Sequence, residues 1–154
     1  GLLSAQLVGK KANFEASQRS VATTLARDIL ERMRANPGQI VAYQIDGVGD
    51  EANHLPRPAA DCDVAVCTVR ELAAFDIWQW ESLLLGYSEQ DSVGYAGGLL
   101  APRACITSNS GAVEITISWR SVMSAELAAE NDCGRDIDVL QRHQLTVSTF
   151  MVGQ

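Results

Sequence analysis

Apolar residues fall at helical spacing through the second half of the first 36 positions. Val21, Leu25 and Ile29 recur every four residues, and Ala22, Ala26, Ile29 and Met33 continue the same side. Together Val21, Ala22, Leu25, Ala26, Ile29 and Met33 form a stripe about 100° wide, the shape a surface helix presents to a core. The other face carries Arg19, Asp28, Glu31 and Arg32. Asp28 precedes Arg32 by four residues, which sets opposite charges side by side. From Leu2 to Asn36 there is no proline and only Gly9 as a glycine, and Pro37-Gly38 then ends the run. The pattern predicts a helix over 2–36, roughly 50 Å long at ~1.5 Å per residue. That is more than a domain of 154 residues needs for its core.

A second periodic run is announced by its cap. Thr68-Val69-Arg70-Glu71 is a T-x-x-E capping box, and it predicts a helix over 69–85. Ala73, Ile77, Trp80 and Leu84 share one face of it, Leu72, Phe75 and Leu83 border that face, and Gly86 is the stop. Trp78 and Trp80 diverge on a helix, so one of them is expected to be partly exposed, either as an interface anchor or, the plainer reading, lying under a loop.

Strict alternation appears later. Ala104, Ile106 and Ser108 alternate with Cys105 and Thr107, Asn109-Ser110-Gly111 is a turn, and Val113, Ile115, Ile117 and Trp119 then point one way. Such a hairpin has one apolar face and belongs to an antiparallel sheet covered on one side. The last stretch, His143 to Val152, alternates through Leu145 and Val147 and changes parity at Phe150 and Val152. A bulge near Thr149 would explain the change in a terminal strand lying beside 112–120. Between these elements, 40–45 is a short apolar segment whose Tyr43 and Ile45 should cover the helix stripe. Residues 46–61 read as a polar connection with Gly47, Gly49, Pro56 and Pro58. Residues 87–101 are soft, with Gly94, Gly97 and Gly98. Ser121 to Asn131 is either a short helix over Leu127, Ala128 and Ala129 or a surface excursion. The fold class this implies is α+β: a long N-terminal helix packed on an antiparallel sheet of three to five strands, with an additional helix in the connection.

Composition narrows the function. With 47% apolar residues the chain supports one compact domain over 1–154. A formal charge of −7 argues against nucleic acid and against a polybasic membrane patch. Half of the twelve basic residues (Lys10, Lys11, Arg19, Arg27, Arg32 and Arg34) lie on the first helix, so the remainder is distinctly acidic. No apolar run reaches the length of a membrane span, although Leu2, Leu3, Leu7 and Val8 make a greasy opening.

Candidate chemistry mostly fails on spacing. Cys62, Cys67, Cys105 and Cys133 could pair in three ways, or could hold zinc with His54 and His143. A zinc knuckle spacing occurs once only, and C-x4-C lacks the spacing of a redox motif, so disulfides are expected. Asp132, Asp136 and Asp138 lack the order of a calcium loop and read as a solvated acidic loop. No nucleophile elbow or phosphate loop occurs. No enzyme, cofactor or metal is expected.

The opening GLLSAQLVGKK, followed by SVATTLARDILERMRANP, resembles the lower half of the N-terminal helix in PilV-like minor pilins, the type IV pilus modification protein family. Arg32-Met33-Arg34-Ala35-Asn36 matches that family's RMRAN motif as it stands. Members often carry a cysteine pair, then a helix of the form lA-x-x-D-x-x-x-W, then glycine. Here Cys62 and Cys67 precede Leu72-Ala73, Asp76 and Trp80, while Leu83-Leu84-Leu85-Gly86 lacks the proline often found there. The VEITISW segment, from Val113 to Trp119, resembles the family's V-x-V-x-W strand.

The resemblance implies a pilin-like fold and a transmembrane upper half of the first helix, upstream of Gly1. It implies a leader removed by prepilin peptidase with N-methylation, and a place in the inner membrane facing the oxidising periplasm and in the pilus fibre. Partners would be other minor pilins and the major pilin, met along the stripe from Val21 to Met33. The work would be priming of pilus assembly, with the tip as one location, in support of twitching motility and adhesion. Cys62–Cys67 and Cys105–Cys133 is the pairing expected. The alternatives are a minor pseudopilin of a type II secretion system and a periplasmic ligand-binding or adhesin module.

Overall fold

The first helix is one unbroken element. In the structure, a computed structural model describing residues 1–87, 90–91, 94–95, 97–124 and 130–152, α1 runs Leu2–Ala35. Its two halves differ. Residues 1–14 are exposed all round, and burial begins in earnest at Gln18. Ala22, Leu25, Ala26, Ile29 and Met33 then enter the core, joined by Leu30. A kinked 3₁₀ segment, Pro37–Tyr43, follows the Asn36 cap and carries Ile40 and Tyr43 inward.

The second helix, α2, spans Val69–Leu85 with the capping box formed in both directions. The Thr68 hydroxyl accepts from Glu71 N–H, and the Glu71 carboxylate accepts from Thr68 N–H at 2.8 Å. Ala73, Ile77, Trp80 and Leu84 face the core as their spacing predicts. α2 runs antiparallel to α1, because Asn36 bonds the Val69 carbonyl at one end while Trp80 bonds the Leu25 carbonyl further along. Trp78 is the half-exposed tryptophan, covered by Arg57 at 5.3 Å from its ring.

α2 ends on Gly86 at φ +77°, where the backbone of Gly98 crosses it. A Cβ on Gly98 would sit 2.5 Å from the Leu85 carbonyl carbon and 2.6 Å from Gly86 N, both backbone atoms. Neither strand of backbone can give way without breaking the Leu99 N–H bond to the Leu84 carbonyl. Gly98→Ala is therefore expected to cost about 2–3 kcal/mol, read as a lower denaturant midpoint with unchanged slope. A loss within about 0.5 kcal/mol would show that the two backbones separate freely.

Four strands form the main sheet in the order β1-β4-β5-β6, all antiparallel. They are β1 (Ile45–Val48), β4 (Arg103–Asn109), β5 (Ala112–Arg120) and β6 (Arg142–Phe150); a separate two-stranded ribbon pairs β2 (Gln90–Asp91) with β3 (Gly94–Tyr95). The β4–β5 turn has positive φ at both Ser110 and Gly111, +49° and +89°. That handedness matches the twist of the strands it joins. Val113, Ile115, Ile117 and Trp119 are buried against α1, completing the α+β architecture.

Three expectations change. Residues 46–61 are more than a connection, since Asp46, Gly47 and Val48 belong to the edge strand β1, which pairs with β4 around a register shift. A strand of IDGV carries too few apolar residues to show alternation. No bulge occurs at Thr149: β6 pairs residue for residue with β5 from Arg142 to Phe150. The parity change arises because Phe150 is 68% exposed on the outer face beside Gly111, while Met151 takes the next inward position. The sheet is also covered on its second face at one place. Ser118 donates to the Cys133 carbonyl at 2.8 Å, and Asn131 donates to the Thr116 hydroxyl at 2.7 Å, burying both strand residues. The short helix weighed over Leu127, Ala128 and Ala129 lies outside the described residues.

Candidate assembly surface

Two features of α1 bear on association: what it projects and how it is held. The projecting part carries Leu2 at 77% and Leu3 at 82% exposure, then Leu7, Val8 and Phe14, with Lys10 and Lys11 exposed between them. Residues 1–14 are all exposed, and among them Phe14, at the border of the head, faces Leu83, Leu85 and Leu100 across a shallow cavity.

The stripe of Val21, Ala22, Leu25, Ala26, Ile29 and Met33 lies elsewhere. Five of the six are buried in this chain's own core, and Val21 is partly buried at its border. A side chain enclosed by its own fold presents no surface, so the apolar part of α1 open to another subunit is the segment from Leu2 to Phe14. Periodicity identifies a face that must be covered; it does not say by what.

Polar side chains fix α1 to the head at three levels. At the upper level the Glu15 carboxylate accepts from Val122 N–H at 2.8 Å and lies 3.2 Å from Nδ1 of His143 and 3.4 Å from Nε1 of Trp119. Arg19 sits over the Trp119 ring at 5.6 Å. One turn further on, buried Gln18 donates to the Gly98 carbonyl and accepts from Leu100 N–H. Glu15 and Gln18 continue the stripe toward the N-terminus, and that position was their one sequence signal.

At the lower level, Asp76 on α2 accepts from Arg32 at 3.0 Å and from the Tyr43 hydroxyl at 2.6 Å. Arg32 also holds Asp28 at 2.9 Å, so the pair read as an exposed helix contact is one side of a bridge between the two helices. Burial pushes the Tyr43 phenol well above its ordinary value, and its bond to the Asp76 carboxylate pushes the same way. The unfolded phenol ionises near its ordinary value of about 10. The unfolded state therefore loses its proton first as pH rises, so this contribution is intact below about pH 10 and falls above it. Tyr43→Phe is expected to be less stable at neutral pH by about 1 kcal/mol and to lose less on going to pH ~11 than the parent. Thermal midpoints across that range check it; parallel curves for the two proteins would contradict it.

The cysteines form two disulfides, Cys62–Cys67 across a short exposed loop and Cys105–Cys133 from β4 to the segment that covers the second sheet face. Of the acidic loop, Asp136 pairs with Arg103 at 2.7 Å, and Arg135 pairs with Asp46. Among the described residues no three metal-ligating side chains gather. His143 is held by Glu15 and Trp119, and His54 meets the Tyr87 ring edge-on at 6.0 Å.

Residues 5–78 match the family model described as "Tt1218-like: Type IV pilin Tt1218". Over that stretch the chain is homologous to a type IV pilin family. The match takes in most of α1, the Cys62–Cys67 loop and the first half of α2, about half of the chain. No curated protein and no solved structure matches it. The pilin homology is consistent with a non-enzymatic structural protein. It implies interaction with other pilins and points to a place at the membrane, in the periplasm or in a pilus. No helix among the described residues is long and apolar enough to cross a membrane.

Proposed function

We propose that this protein is a PilV-like minor pilin, a single pilin-like domain over 1–154 that joins other minor pilins to prime type IV pilus assembly. The observation that supports it best is the division of α1. Its lower half is built into a self-contained head, while its upper half carries Leu2, Leu3, Leu7 and Val8 exposed, outside the core formed by the described residues. A projecting apolar rod suits a subunit that is laid against other helices.

On this reading α1 continues upstream of Gly1 into the inner membrane, the head faces the periplasm, and the two disulfides form there. The mature N-terminus is methylated after leader cleavage. The other minor pilins and the major pilin are the partners, at the tip or along the fibre, and twitching motility and adhesion depend on the result. The alternative, a minor pseudopilin of a type II secretion system, would use the same rod in a different machine.

The test is the native N-terminus. Intact mass and N-terminal sequencing of the membrane form from its own host should show an N-methylated residue opening an apolar segment ahead of Gly1. A protein starting near Leu2, or one cut by ordinary signal peptidase, would sink the reading. Deletion of the gene should then reduce surface pili; loss of protein secretion with intact pili would select the secretion alternative.

A further inference from the structure

A second apolar surface lies at the opposite end of the head from the projecting helix. Ala42, Leu55, Pro56, Ile77 and Trp78 line an open groove of about 420 Å³, with Arg70 at its rim. Ala42 follows the C-terminal end of α1, and Arg70 belongs to the first turn of α2, which lies beside that end. Leu2 is roughly 50 Å away along α1. The groove is therefore separate from the surface assigned above to helix packing, and it stands whichever machine the protein serves.

Its chemistry is selective. Among the described residues Arg70 is the only charged one in the lining, although the protein as a whole carries −7. Among the described residues Arg70 has no hydrogen-bond or ion-pair partner, and it is exposed. Arg57, by contrast, is held by Asp61 and by the Trp78 ring. Trp78 is thereby fixed in place, and the prolines beside it offer no N–H, so the wall is preformed and apolar. Preformed apolar walls with one placed polar group are how a binding site fixes a ligand's orientation, and a guanidinium selects a carboxylate.

We propose that this groove docks a short apolar segment of a partner protein that bears one Asp or Glu, with that carboxylate on Arg70. Trp78 serves as the anchor wall, and the contact lies at the pole away from the projecting helix. The commitment to an acidic partner rests on charge complementarity: a lone cation in an otherwise uncharged groove rejects basic segments and rewards acidic ones.

The experiment uses the full chain with intact disulfides, displayed against an array of randomised heptapeptides. Selected peptides should combine two or more apolar residues with one acidic residue. Their binding should shift the Trp78 indole resonance and leave those of Trp80 and Trp119 in place. Arg70→Glu, a change that suits the first turn of a helix, should weaken those peptides at least about tenfold and move the selection toward basic sequences. Arg70→Lys should retain the acidic preference. Selection of nothing, selection with no preference for acid, or an unchanged selection with Arg70→Glu would each overturn the proposal. Two parallel arms separate other occupants. A Trp78 shift with octanoate but with no peptide would assign the groove to a lipid acid instead. Self-association abolished by Arg70→Glu would assign it to a second copy.

Discussion

Trp80→Ala lowers the unfolding free energy by about 4 kcal/mol, the largest loss expected from any single side chain here. Trp80 is fully buried, and its indole N–H donates to the Leu25 carbonyl at 2.9 Å, so it joins α2 to α1 by both packing and a directed bond. Truncation leaves a cavity between the helices that rigid neighbours cannot collapse into, and it strips the bond from the Leu25 carbonyl. Trp78→Ala is the control: the same residue type two positions away is only half-buried and should cost about 1 kcal/mol. Urea unfolding of both variants under non-reducing conditions gives the comparison. Equal losses would show that the helix–helix contact does not depend on the face that Trp80 occupies.

Removal of the Cys105–Cys133 bridge by paired alanine substitution should cost roughly 3–4 kcal/mol. The bridge closes a separation of 28 residues, against 5 for Cys62–Cys67, whose removal should cost about 2 kcal/mol on the same loop-closure argument. The longer bridge also holds Cys133 where its carbonyl accepts from Ser118, so its loss uncovers the second face of the sheet. Guanidinium midpoints should rank parent, short-bridge variant and long-bridge variant in that order. A reversed order would mean that the unfolded chain is already compact across 105–133.

The parts of this fold legible in the sequence are those whose cause is local. The α2 boundaries followed from Thr68, Glu71 and Gly86, because capping is settled within one turn. The hairpin followed from alternation around Ser110-Gly111. What was hidden depended on partners distant in the chain. Asp46 to Val48 form a strand only because β4 lends them an edge. Phe150 misled because an exposed aromatic at a strand end has the same signature as an inward one out of register. The stripe on α1 shows in the sequence as apolar, and its residues pack within the core of the one molecule, a partner that periodicity does not name. The clamps made by Glu15 and Gln18 span 80 residues or more and left almost no local trace.

Those clamps have a consequence for the order in which the molecule is made. Glu15 bonds Val122 and faces His143, and β6 completes a sheet whose inner strand β5 lies on α1. The lower half of α1 thus waits for Val122, 107 residues further along, and for β6 beyond it before that face is closed. Contacts this far apart close slowly, because a long loop must be ordered before it is rewarded. Until then the nascent chain displays an open apolar helix. Apolar surface exposed in that interval is prone to aggregation. The same architecture that leaves the upper helix free for neighbours therefore makes the lower helix depend on strands far along the chain.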